Sequence, residues 1–290
     1  MLPVTFKKVK VVLNIIIDSH QHFWKLSRDD YKWLTEDLLE LYHDFMPMDL
    51  YPILKEQQID KTIVVQAAPT SEETLFLLSL FEEYEWIAGV VGWLDLSEES
   101  IKQNLEELLK HPGFVGVRPM LQDLDEDDWI LRKEVLKNIE LLVYHDVPLD
   151  LLIKPRHFPY VLELMERFPE LRVVVNHIAK PNIAKQELDS WKESMREIAL
   201  YPNVMCKLSG LVTEATHKNW TVEEFKPYII HVLNVFGTNR VMFGSDWPVC
   251  NLSATYNDVI NILKVNITEY FDKKDLEMIF GENAKRFYGI

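Results

Sequence analysis

The chain has 290 residues, 48% hydrophobic and 27% charged, enough to bury one large core, and its 46 acidic against 31 basic residues give a formal charge of -15. That balance argues against a nucleic-acid surface, two cysteines are too few for a secreted disulfide framework, and no segment is long and apolar enough to span a bilayer. The expectation is a cytoplasmic enzyme with no nucleic-acid and no membrane partner; homo-oligomerisation stays open.

In chain order, residues 1–12 carry Lys7, Lys8 and Lys10 and lead into only a short apolar run, a poor signal peptide. They read as an N-terminal extension, either disordered or an added strand, ahead of a single domain over 13–290. Short runs rich in β-branched residues then recur at 13–17, 61–66, 86–93, 114–118, 148–153, 172–177, 204–209 and 240–244. Between most of them lie amphipathic helical patterns, for example at 71–84, 98–110, 131–145 and 221–236, with Ser71 and Ser97 as predicted starts. Strand-helix alternation repeated eight times predicts an α/β fold, a (β/α)8 TIM barrel. A doubly wound open sheet is the competitor, but no glycine-rich phosphate loop follows the first run and the chain holds only 9 glycines.

In a barrel the carboxyl ends of all strands meet at one mouth, so the polar residues there are read together. They are His20 and His22, Gln66, Arg118, Asn176 and His177, Lys207 and Ser209, and Ser245, Asp246 and Trp247. His20 and His22 share a face because strand side chains alternate. His43, His111, His145, His217 and His231 have no such setting and read as surface or core. Cys206 and Cys250 lack an evident histidine partner, and Lys207 lies on the opposite strand face from Cys206, so only one of that pair points into the barrel. Phe23, Trp24, Trp93 and Trp247 suit packing, and beside polar groups they also suit the apolar face of a sugar ring.

His20, His22 and Asp246, with the distant His177, form a ligand set for one divalent ion such as zinc, which would acidify a bound water. A second ion is poorly provided for: Arg118 stands where a bridging lysine or glutamate is needed, and 150–154 offers no histidine. The residues leave a site for one ion or for none.

Five separated segments now carry a resemblance: Ile17-Asp18-Ser19-His20-Gln21-His22-Phe23-Trp24, Lys154-Pro155-Arg156-His157-Phe158, Val175-Asn176-His177-Ile178-Ala179-Lys180-Pro181, Lys207-Leu208-Ser209-Gly210-Leu211 and Phe243-Gly244-Ser245-Asp246-Trp247-Pro248-Val249-Cys250. In this order they resemble the amidohydrolase superfamily, and more closely its lactonase branch of L-fuconolactonases, L-rhamnonolactonases and 2-pyrone-4,6-dicarboxylate lactonase. Asn176 stands where that branch often has aspartate, and the segment before Leu13 has no clear counterpart.

The resemblance implies a hydrolase of carbohydrate metabolism that opens a sugar-acid lactone of the L-fucono- or L-rhamnono-lactone class, with no obligatory metal. Asp246 would be the general base toward water, and His20, His22, His177 and Arg118 would stabilise the oxyanion. Trp24, Gln66, Arg156, His157, Lys207 and Trp247 are the candidates for holding the small-molecule sugar lactone. The rivals are a mononuclear metal-dependent amidohydrolase or decarboxylase and, from another class, a catalytically silent binding barrel.

Overall fold

The computed structural model describes residues 13–290, so the extension expected over 1–12 lies outside the described residues. Eight strands, β1 (Ile17–Gln21), β2 (Lys61–Val65), β3 (Ile87–Gly92), β4 (Phe114–Val117), β5 (Leu149–Leu151), β6 (Val173–Val175), β7 (Val204–Leu208) and β8 (Val241–Phe243), each pair in parallel with the next. The ring closes just past β8, where Gln21 bridges Trp247 in parallel and the His22 amide donates to the Trp247 carbonyl at 2.7 Å. The fold is the (β/α)8 barrel.

Helices α1 (Pro47–Gln57), α2 (Ser71–Glu83), α3 (Lys102–Leu108), α4 (Lys133–Tyr144), α5 (Phe158–Arg167), α6 (Asp189–Ile198), α7 (Val222–Phe236) and α8 (Tyr256–Ile267) follow the strands in turn. Helix α2 begins at Ser71 as expected, capped by the residue before it, Thr70, whose hydroxyl accepts the Glu73 amide. Helix α3 begins later than expected. Asp95 accepts both the amide and the hydroxyl of Ser97, which holds that stretch in a turn instead of a helix start.

Alternation along each strand sorts side chains into two sets. Val64, Val90, Leu149, Leu151, Val173, Val175, Cys206, Leu208, Val241 and Phe243 join the core shared with the helices. Ile17, Ile63, Val65, Val91, Val174, Met205 and Met242 face the barrel axis, where Ala284, Phe287 and Tyr288 cover them. Those three come from the end of the chain: α9 (Lys273–Glu277) passes through a π-turn into α10 (Asn283–Tyr288) and seals the amino-terminal end of the barrel.

The first strand departs from expectation. It starts at Ile17, where 13–17 was the predicted run, and its register against β2 shifts between Asp18 and Gln21. Ile17 and His20 are three apart, yet Ile17 packs with the interior set and His20 meets Lys207 inside the barrel; only an extra residue allows both. Strand β6 also stops earlier than predicted, because the chain turns at Asn176.

Candidate active site

At the carboxyl end of β1, His20 and His22 point the same way with their Nε2 atoms 3.2 Å apart. The His22 Nδ1–H donates to the Val65 carbonyl at 2.7 Å, so a neutral His22 turns a bare Nε2 toward the mouth. Asp246, in the left-handed conformation (φ 59°) that aspartate tolerates better than most residues, donates its amide to the His20 carbonyl at 2.8 Å. Asp246 Oδ1 thereby stands 3.3 Å from His22 Nε2, 3.8 Å from His20 Nε2 and 3.7 Å from His177 Nε2. Beneath it, Asp18 ties β1 to the exit of β8, accepting the Ser245 amide at 2.8 Å and hydroxyl at 2.6 Å and the Tyr256 hydroxyl at 2.9 Å.

His177 arrives on an unusual turn. His177, Ile178, Ala179 and Lys180 all have positive φ, between 47° and 60°. Each such non-glycine residue costs about 1–2 kcal/mol, so the surroundings must impose the turn. The Trp191 indole donates to the Ile178 carbonyl at 2.8 Å, and the Lys180 amide returns to the His177 carbonyl at 2.8 Å. Two glycines make room. A Cβ on Gly210 (φ 61°) would lie 2.5 Å from His177 Nδ1, and one on Gly244 would lie 2.6 Å from His20 Cβ. His177 Nδ1 meets the Ser209 hydroxyl at 2.9 Å.

The charges follow from burial. Desolvation holds the His20 and His22 imidazoles below their usual range, and it pushes His177 down to about 3 although Asp246 pulls the other way. Burial works to raise the Asp246 carboxyl, but His177, the contact to His22 and the Lys180 ammonium outweigh it and hold it at about 2. At neutral pH the cluster is one carboxylate facing three uncharged imidazoles. Arg118, 3% exposed, adds a fixed cation; its guanidinium donates to the Gln66 carbonyl, the Gln66 amide donates back to the Arg118 carbonyl at 2.7 Å, and Arg118 Nε has no partner among the described residues.

These groups open on a cavity of about 200 Å3 walled by His22, Arg118, His177 and Asp246 together with Trp33, Ala67, Met120, Gln122, Asp123, Leu152, Lys180 and Val249. One layer deeper, Lys207 donates to Asp150 Oδ2 at 2.6 Å and stands 3.4 Å from His20 Nδ1, while the Tyr288 hydroxyl donates to Asp150 Oδ1 at 2.8 Å and the Asn176 amide to Oδ2 at 3.0 Å.

Comparison with known proteins places the chain in a family. The amidohydrolase family profile matches residues 17–290. The chain is 39% identical to an L-fucono-1,5-lactonase of Burkholderia ambifaria over 94% of its own length and 95% of the relative's. It is 33% identical to an L-fucono-1,5-lactonase of Burkholderia multivorans over 94% and 96%. Two crystal structures of a B. multivorans amidohydrolase, one with HEPES and one with zinc bound, superpose with a TM-score of 0.89 at 32% and 33% identity, covering 95% of this chain and 99% of theirs. The chain belongs to the amidohydrolase family.

In this amidohydrolase the sequence candidates separate by depth. Asp246, His22, His177 and Arg118 line the cavity, and His20, fully buried, backs His22 and Asp246. Gln66 braces Arg118 from behind. Lys207 turns inward while Cys206 faces the helices, and it sits below the cavity, not at its wall. Trp24 is wholly buried with its indole bonded to the His43 carbonyl, and Trp247 packs on Phe23 and Phe45. Arg156 pairs with Asp127 at 2.6 Å and donates to the carbonyl of the wall residue Gln122 at 3.0 Å, and His157 accepts the Lys154 amide at 2.9 Å; neither side chain lines the cavity itself.

Asp150, Lys180, Asp123, Trp33 and Tyr288 join the site from outside the set of sequence candidates. Asp150 had a readable signal, a lone acid inside the apolar stretch 147–153, matched by a lone lysine in β7. Tyr288 had none. Cys206 and Cys250 are both buried, with thiols pushed up by that burial, which fits packing. No helix among the described residues is long and apolar enough to cross a membrane.

A divalent ion fits the donors present. His20, His177 and Asp246 each turn a ligand atom to within 4.8 Å of the others, and His22 adds a bare nitrogen beside Asp246. His20 is the weakest of the four, because a Lys207 ammonium donating to Nδ1 leaves the proton of a neutral imidazole on Nε2, the atom a metal would need. When bound, such an ion supplies Lewis acidity to a carbonyl or to water.

Proposed function

We propose that this amidohydrolase opens a sugar-acid lactone of the L-fucono- or L-rhamnono-lactone class. The observation that carries the reading is the Asp246 carboxylate set among three uncharged imidazoles, with the Arg118 guanidinium on the same small cavity. A lactone carbonyl becomes an oxyanion when water adds. Arg118 and an Nε2–H of the histidine cluster, all on side chains almost wholly buried, offer the positive ends that such charge needs. Asp246 accepts a proton from the attacking water as its oxygen bonds to the carbonyl carbon. The tetrahedral adduct then collapses, the bond from the carbonyl carbon to the ring oxygen breaks, and Asp246 returns the proton to that oxygen. The product is a hydroxy acid, which at neutral pH releases one proton to solvent.

The near-full-length likeness to two L-fucono-1,5-lactonases supports the substrate class, and the cavity of about 200 Å3 supports a single sugar ring at the reacting end. Proton release across a panel of aldonolactones, on metal-loaded and chelator-treated protein, tests the reading. Hydrolysis that survives chelation is expected. Activity abolished by chelation and restored by zinc would move the histidines into an obligatory metal site, and no hydrolysis of any lactone would overturn the reading.

A further inference from the structure

Beside the reaction cavity lies a second one of about 870 Å3, and Trp33, Met120 and Asp123 belong to the walls of both. Its volume is in the range of ligand pockets, whereas the reaction cavity falls below it. Three tryptophans, Trp33, Trp93 and Trp129, share the second cavity with Asp30, Asp95 and Asp123. Trp33 is fixed at the boundary: its indole donates to the Ala67 carbonyl at 2.7 Å, and its ring packs edge-on against Trp24 at 5.4 Å.

The geometry points to this cavity as a second sugar subsite, holding a neutral glycosyl group carried by the lactone. The inference rests on the lactonase reading above. Indole faces suit the C–H faces of a pyranose, and carboxylates, which only accept hydrogen bonds, suit hydroxyl donors. Asp30 already pairs with Arg28 at 2.7 Å and Asp95 accepts the Ser97 amide and hydroxyl, so Asp123 is the carboxylate on this wall that most repels a second acid group, and the lysine on the wall, Lys32, pairs with Asp29 at 3.4 Å. An anionic or purely aliphatic occupant therefore fits worse than a neutral sugar. Because the two cavities share walls, a monosaccharide lactone fills the first and leaves the second to solvent.

The test compares L-fucono-1,5-lactone and other monosaccharide lactones with cellobiono-, maltobiono- and melibiono-1,5-lactone, which carry a neutral hexosyl group on O4 in the β or α configuration or on O6. At least one glycosylated lactone should show a kcat/KM roughly tenfold above the monosaccharide lactone of its own reducing unit. Trp129→Ala should remove that advantage and leave monosaccharide hydrolysis unchanged. Trp129→Phe should restore much of it, and Leu124→Trp, which fills the cavity, should block the glycosylated substrates alone. Monosaccharide hydrolysis with no gain from any glycosyl group, or with both substrate types responding alike to these variants, overturns the subsite and leaves the lactonase reading standing. If no lactone is hydrolysed, cellobiose titrated against tryptophan fluorescence decides: binding lost in Trp129→Ala supports the subsite, and no binding overturns it.

Discussion

Asp246 carries the proposed chemistry, and its environment separates its charge from that of its neighbours: at neutral pH the carboxyl is ionised and the imidazoles beside it are not. Asp246→Asn keeps the shape and removes the base, so kcat should fall roughly a hundredfold or more, with a smaller change in KM. Steady-state kinetics on the best aldonolactone check this, and retention of more than about a tenth of the rate would place the base elsewhere. Lys207 acts at one remove. It lies in a wholly buried ion pair with Asp150, and burial lowers its ammonium while Asp150 holds it up. Lys207→Met leaves the Asp150 carboxylate buried without its cation, which should cost about 3–5 kcal/mol of stability in urea titration. Lys207→Met paired with Asp150→Asn should recover part of that loss; a single variant as stable as the parent would show that the ion pair does not contribute to stability.

At the scale of elements, the site depends on backbone that the sequence pattern does not advertise. The strands β2 to β8 are legible as short continuous runs of β-branched and apolar residues, buried on both faces, and their eightfold alternation with helices gives the barrel. The mouth residues His20, His22, Arg118, His177 and Asp246 follow from that, since strand ends converge. The one-residue shift in β1 and the left-handed turn at His177–Lys180 are set by distant partners, Lys207 and Trp191 among them, and no local propensity encodes either. For the same reason the chain does not show that Arg156 pairs with Asp127, 29 positions away, while bonding the Gln122 carbonyl. Gly210 is where turn and site meet. Gly210→Ala combines an unfavourable φ with a Cβ pressed on the His177 ring, and a displacement near 1 Å should cost about a hundredfold in kcat. Unchanged kinetics would mean that the ring's position does not limit the reaction.

The whole molecule stores buried carboxyls whose titration sets its stability with pH. Burial lifts Glu73 to about 8, though its oxygens accept the Ala67 and Ala68 amides at 2.6–3.0 Å, and it lifts Asp18 to about 6. A carboxyl raised in the folded state binds its proton more tightly there than in the unfolded chain. Its contribution is therefore fully present below the unfolded value and is lost as pH climbs to the folded one. For Asp18 that loss ends near pH 6; for Glu73 it continues to about 8. His177, pushed down to about 3, acts oppositely: its contribution is complete above the ordinary histidine range and fades as pH falls through it. Between about pH 6.5 and 8, then, Asp18 and His177 are level and Glu73 alone among the three changes, at about 1.4 kcal/mol per pH unit. Glu73→Gln keeps an acceptor for the β2 exit loop and cannot titrate. Thermal melts of the two proteins should diverge by a few degrees as pH falls from 8 to 6.5, with the parent gaining, and should run parallel above pH 9. Parallel curves throughout would show that Glu73 stays ionised in the fold, held by its two backbone amides.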